Sequence, residues 1–170
     1  MSPITLYSAS VPLFQKQLGA MLDWLEKAEA HARERQFEPD NYLQLRLAPD
    51  MLPLLAQVRI AGDMAKGCAA RLAGLEPPRY EDDETRFEQL RGRIAKTLDF
   101  MASVPASAID GQEGREIVLP MRNREALRFS ADVYLRHWAL PNFYFHATTT
   151  YALLRHAGVA LGKSDYLAMA

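Results

Sequence analysis

Among the 170 residues there is one cysteine, Cys68. A lone thiol closes no internal disulfide and makes no paired-cysteine centre, and it fits a reducing, cytoplasmic setting. Long hydrophobic runs are also missing. Every apolar stretch is short and interrupted by charge, so no bilayer-spanning helix is expected. The stretch "MSPITLYSASVPLFQKQ" lacks a basic start and a long apolar core, so no signal peptide is read there. Charge of one sign is lacking too. Lys and Arg total 20 against 21 Asp and Glu, with no basic cluster, which argues against a phosphate-tracking surface for nucleic acid. There is no Ser-His-Asp elbow and no phosphate-cradling glycine loop.

What is present is ordinary for a globular chain. Hydrophobic residues make up 49% and charged residues 24%, in a length that suits one domain over residues 1–170. Val11, Phe14, Leu18, Met21, Leu22 and Leu25 recur at three- and four-residue steps, which predicts a helix over about residues 4–35. "QFEPDNYLQLRLAPD" breaks the period and reads as a connection, with a helical turn near Asn41. Asp50 is the expected N-cap of a second helix, with Pro53 in its first turn. Leu54, Val58, Ala61, Ala65, Cys68 and Leu72 form its stripe, and Gly74 ends it. "YEDDETRFEQL" is expected to start a third helix with its acids at the positive end of the helix dipole. Its buried face is Phe87, Leu90, Ile94, Leu98 and Met101, and Pro105 closes it. Ile117 and Leu119, then Leu127 and Phe129, alternate about a polar turn, which predicts a short β-hairpin. From Ser130 to Gly158 the pattern is helical again, disturbed at Pro141, and "GKSDYLAMA" is a tail with one further turn. The class is all-α: a four-helix bundle with a long crossover between helices 3 and 4 that carries the hairpin.

"LPNFYFHATTTYALLRHAG" raises the functional question, because a helix with an apolar side spends His146, Asn142 and three threonines on polar groups. His146 has two readings: a metal ligand or general acid/base group, or an imidazole hydrogen-bonded inside the bundle to Asn142, Gln57 or water. Asn142, after Pro141, is expected to be an N-cap that restarts the helix. Thr148, Thr149 and Thr150 are expected to bond back to carbonyls one turn earlier; the alternative reading is that Thr149 and Thr150 border the same cavity as His146. Asp63, four residues past Arg59, reads as half of a surface ion pair, or as an acidic ligand if the second helix is rotated. His31 is expected to be solvated. His137 and His156 lie off the His146 face, and His156 suits the last helical turn. Cys68, on an apolar face, reads as buried and inert. Trp138, Phe143, Tyr144 and Phe145 read as packing for the bundle or a dimer face.

Two segments, "LRLAPDMLPLLAQVRIAGDMAKGCAARLAG" and "ALPNFYFHATTTYALLRHAGVALGKSDYL", resemble a bacterial family of unknown function that is similar to the DinB/YfiT-like metalloenzymes. That resemblance covers nearly the whole chain and implies the DinB-like four-helix bundle. In that superfamily three histidines typically hold a divalent metal, one on the second helix and two on the fourth, four residues apart. By resemblance His146 matches the second of that pair, Asn142 the first, and Gln57 the second-helix position. Two amides at those places are poor ligands for zinc or nickel. The expectation is therefore a small-molecule-binding homologue with an incomplete metal triad and a pocket lined by Gln57, Asn142, His146 and Thr149. The alternative is a divalent-metal enzyme (nickel, zinc or manganese), such as a thiol-dependent transferase, with ligands from His146, Asn142, Gln57, Asp63 or water. An unidentified small molecule and a homodimer are the expected partners, with neither nucleic acid nor membrane.

Overall fold

The first apolar stripe winds into α1 (Val11–Glu34), which buries Phe14, Leu18, Met21, Trp24 and Leu25. Burying each such side chain contributes about 1.5–3 kcal/mol before entropy is counted. The structure is a computed structural model that describes residues 4–169, so the outermost ends of the expected 1–170 span, residues 1–3 and 170, lie outside the described residues. The helix starts later than the periodicity suggests. Thr5 and Ser8 tie their own backbone into a turn, and Pro12 fits the first turn of a helix that begins at Val11. A short 3₁₀ turn at Pro39–Gln44 follows, where a turn near Asn41 is expected.

Helix α2 (Leu54–Leu72) is the central element. It packs most extensively on α6 and α3, which are introduced below, and its stripe of Leu54, Val58, Ala61, Ala65, Cys68 and Leu72 is fully buried. Its start corrects the expected cap. Asp50 is exposed and makes no capping bond; Pro53 takes the cap position instead. The first helical amide, on Leu54, donates to Leu45 O at 2.9 Å. Because α2 lies between two other helices, its polar residues on either flank are covered as well.

Helix α3 (Phe87–Ala102) also begins later than expected. The acidic stretch 81–84 stays outside the helix, where the Asp82 and Glu84 carboxylates and the Glu81 carbonyl serve arginines. Arg93, buried on α3, donates from Nη1 to Glu84 Oε1 and Glu81 O, both at 2.8 Å. Its Nη2 meets Asp63 and Asp82, each at 3.1 Å. Arg59 on α2 binds the other Glu84 oxygen at 2.5 Å. The expected Arg59–Asp63 pair is therefore replaced: Asp63 pairs with Arg93 and with Lys66, at 2.7 Å. Burial alone would raise the Glu84 carboxyl, but hydrogen bonds from Arg93 and Arg59 outweigh it and hold the group below its usual range.

A short α4 (Ala106–Ile109) leads to the hairpin, β1 (Glu116–Leu119) paired antiparallel with β2 (Leu127–Ser130). Ile117 faces Phe129 and Leu119 faces Leu127, so the alternating apolar residues pair across the expected hairpin. Next, α5 (Ala131–Tyr134) runs through a π-helical turn at Leu135–Ala139 into α6 (Leu140–His156) without a break. The expected disturbance at Pro141 is this wide turn, in which Leu140 N–H donates five residues back to Leu135 O. A proline has no N–H for the ordinary ladder, and the wide turn absorbs the mismatch. A last short turn, α7 (Lys163–Tyr166), stacks Tyr166 on Trp24, with centroids 5.6 Å apart. Around the bundle, α1 meets α3 and α6, and α2 meets both on the other side, so α1 and α2 are diagonal. The crossover from α3 to α6 carries the hairpin, as the all-α bundle with a long crossover requires.

The long helices α1, α2 and α6 end in the same way. At Gly74, Gly158 and Gln36 the chain turns left-handed, with φ of +73°, +97° and +59°. In each case the next amide reaches back five residues: Leu75 to Ala70, Val159 to Leu154, Phe37 to Ala32. Only the α1 end lacks glycine. Gln36→Gly should therefore raise stability by about 0.5 kcal/mol in a urea melt, the relief of side-chain crowding exceeding the entropy of a freer unfolded chain. Arg93→Met should lower it by about 3 kcal/mol, because buried Glu84 and its neighbours lose a shared counter-charge. A loss within error of zero would mean that the cluster is held by its loops and not by the guanidinium.

Candidate functional site

The polar face of α6 meets α2 at one point. His146 Nδ1 lies 2.7 Å from Gln57 Oε1, and Gln57 is 2% exposed. The position of Gln57 follows from the start of α2. Just past Pro53, its side chain folds back over the first turn and donates from Nε2 to Leu52 O at 3.0 Å. A carbonyl only accepts, so this bond fixes which end of the amide is nitrogen. The oxygen must then face the imidazole, and an amide oxygen also only accepts. Nδ1 therefore carries the proton, and Nε2 carries the lone pair. Nε2 makes no hydrogen bond among the described residues, and it is not among their buried, unpartnered atoms, so it reaches solvent. Burial lowers the imidazole's proton affinity, which favours the neutral ring.

The other expected site residues go elsewhere. Asn142 is not an N-cap, because α5, the π turn and α6 form one continuous run. It lies inside the helix and donates from Nδ2 to Trp138 O at 2.7 Å, four residues back, so it supports the turn before Pro141 and does not join Gln57. Thr149 donates to Phe145 O at 2.7 Å and Thr150 to His146 O at 2.9 Å, the back-bonding expected of them. Thr148 instead shares a 2.8 Å bond with the Tyr166 hydroxyl. Thr149 also borders an open groove, with Leu47, Tyr144, Phe145, Thr148 and Ala152. Asp63 is held by Arg93 and Lys66, away from His146 in the bonding network.

A divalent metal would have to be held by His146, Asn142, Gln57 and Asp63, and the donor set does not fit. Gln57 has both ends of its amide in use, Asn142 offers only a neutral amide oxygen, and Asp63 is neutralised by two cations. Among the described residues no group of three or more His, Cys, Asp or Glu side chains is placed to hold a metal ion.

The matching family model spans residues 6–167 and is described as a domain of unknown function, DUF1993. The chain belongs to the DUF1993 family. A solved DinB family member protein from Shewanella denitrificans is 36% identical to this DUF1993 chain, with a TM-score of 0.86 over 95% of this chain and 91% of that one. The resemblance to an uncharacterised DinB-like family, and the bundle it implies, therefore hold. No curated protein matches this DUF1993 chain. No helix among its described residues is long and apolar enough to cross a membrane.

Other residues depart from expectation or were not anticipated. His31 is half-buried, not solvated: its Nδ1 lies 2.6 Å from the Tyr42 hydroxyl. His137 is exposed, and His156 is in the last turn of α6. Cys68 is buried, and burial pushes its thiol up, so it is unreactive. The aromatic cluster divides. Phe143 packs against Phe14 at 4.7 Å between centroids, whereas Phe145 is 56% exposed. The Leu52 carbonyl that orients Gln57 was not foreseen, and a backbone acceptor leaves no trace in side-chain spacing.

The tautomer is directly measurable. In nitrogen NMR, His146 should carry its proton on Nδ1 at neutral pH and stay neutral below the ordinary histidine range of about 6.5. Unfolding then takes up a proton as pH falls below about 6.5, so His146 removes stability in that direction. His146→Gln should flatten that part of the stability profile. A proton on Nε2 at neutral pH would contradict the Gln57 geometry.

Proposed function

We propose that this DinB-like chain binds a small molecule through the lone pair of a neutral His146, without the three-histidine metal centre of the wider superfamily. The carrying observation is the relay from Leu52 O through Gln57 to His146 Nδ1. Each link has one chemically allowed direction, so the relay leaves an acceptor at Nε2 that is oriented before any ligand arrives. A preoriented acceptor costs less to use than a freely rotating one. A neutral imidazole is also a general base, so proton abstraction from a bound donor is chemistry within its reach. Gln57 and His146 form the contact itself, Thr149 lines an open groove with Phe145, and Asn142 holds the helix turn before Pro141.

The competing reading is a divalent-metal enzyme, such as a thiol-dependent transferase that uses His146 with nickel, zinc or manganese. One observation favours it: a lone pair on Nε2 is also what a metal takes. The amides of Gln57 and Asn142 weigh against it: the Gln57 oxygen is already taken by Nδ1 of the same imidazole, and Asn142 offers only a neutral amide oxygen, a poor ligand for zinc or nickel. The two readings part on a simple measurement. Protein purified without chelator or affinity tag should contain well under one equivalent of divalent metal. Added nickel, zinc or manganese should leave its melting temperature unchanged. One equivalent of metal, lost in His146→Ala, would overturn the proposal in favour of the enzyme.

A further inference from the structure

All four histidines lie among the described residues, and what their rings meet sets them apart. His137 and His156 are exposed, and no hydrogen bond among the described residues fixes either ring. His31 has Nδ1 on the Tyr42 hydroxyl, and its far edge faces Gly158, where an added Cβ would lie 3.5 Å from Nε2. His146 alone of the four has Nδ1–H held by a group that only accepts, Gln57 Oε1 at 2.7 Å, and Nε2 turned toward solvent. A free imidazole shares its lone pair between two nitrogens as its tautomers exchange, whereas this ring keeps it on one. An acceptor behind the N–H also makes the opposite nitrogen more basic, the effect seen at metal-bound imidazoles. The groups shown against the ring, Gln57 and Phe145, carry no charge.

Building on the reading of His146 as an oriented acceptor, we infer that its Nε2 is a nucleophile that takes an acyl group from an uncharged activated ester and passes it to water. Histidine is among the side chains that form such covalent intermediates. The Nε2 lone pair adds to the carbonyl carbon, and the leaving oxygen departs with the electrons of its C–O bond. The ring then holds the acyl group on Nε2 and a proton on Nδ1, with one positive charge. Gln57 Oε1 faces that proton, so the hydrogen bond strengthens as the charge develops. Water next adds to the acyl carbon and gives up a proton to solvent, and Nε2 leaves with its bonding electrons. The sum is ester plus water to carboxylic acid plus alcohol, with the imidazole restored. An uncharged donor suits this ring, because neither Gln57 nor Phe145 offers an ion a counter-charge.

The first test sets the histidines of one molecule against each other and needs no variant. Wild type is treated with limiting diethyl pyrocarbonate, which transfers an acyl group to imidazole, and the modified residues are read by peptide mass spectrometry. Exposure alone puts His137 and His156 first, since His146 is half-buried. The fixed lone pair puts His146 first, by about tenfold in rate, the effect of one hydrogen bond to a ring that becomes charged. Turnover is read with 4-nitrophenyl acetate. Wild type should release 4-nitrophenolate well beyond one equivalent, and His146→Gln should be about tenfold slower. Gln57→Met, which offers Nδ1–H no acceptor, should lose a similar factor while melting cooperatively. His137 or His156 reacting before His146 overturns the inference. So does ester turnover that is unchanged in His146→Gln, or in folded Gln57→Met. If any of these occurs while nitrogen NMR finds the His146 proton on Nδ1, the nucleophile falls and the acceptor reading stands. A proton on Nε2 overturns both.

Discussion

Gln57 has an amide with two unlike ends, and the bundle gives each end one partner. The nitrogen answers a backbone carbonyl just before α2, and the oxygen answers an imidazole on α6. Neither bond can be reversed without leaving a buried polar group unpartnered, which costs about 1–3 kcal/mol. The amide therefore does two jobs. It joins the two helices that pack most extensively, and it sets which histidine nitrogen is basic. The start of α2, the phase of α6 and the chemistry of His146 all depend on it.

The second polar cluster, around Arg93, works on a different principle. Here the charges are full, and the partners come from three parts of the chain: Asp63 from α2, Arg93 from α3, and the acids at 82 and 84 from the segment between them. Tyr80 adds its ring face to the same group, with Lys66, Lys96 and Arg93 at 4.2–5.6 Å from its centroid. The cluster fastens an otherwise irregular connection to the bundle. It is structural in character, because its charges largely satisfy one another. The Arg93 cluster keeps its one unpartnered atom, Nε, buried, whereas the His146 site turns its unpartnered nitrogen toward solvent among the described residues.

Much of the fold was legible in the residue pattern, and the parts that were not share a cause. Apolar spacing placed α1, α2, α3 and the hairpin, because burial of a stripe or of alternate residues is a periodic property. The starts of α2 and α3 differ from expectation because Asp50, expected as a cap, makes no capping bond, and because Asp82 and Glu84, expected in a first helical turn, bind arginines instead. Capping preference is local, whereas the demand of a buried arginine is not. Arg93 itself gave a readable signal: a charge one residue before Ile94, on the buried face of α3. At the site, the meeting of Gln57 and His146 was anticipated, but through a resemblance and not through spacing. Asn142 was misread because a proline followed by asparagine suggests a restart, and nothing in composition announces a π turn.

The π turn carries one more residue than an ordinary helix would need to cover the same rise. Every side chain beyond it is thereby rotated by about 100° relative to the residues before it. The two faces of this run are thus set independently: Tyr134 and Leu135 are buried upstream, while His146 meets α2 downstream. A sister gene that had lost a single codon between Leu135 and Ala139 would close the wide turn into an ordinary one and keep both faces in place. The same loss between Leu140 and His146 would swing the imidazole about 100° away from Gln57.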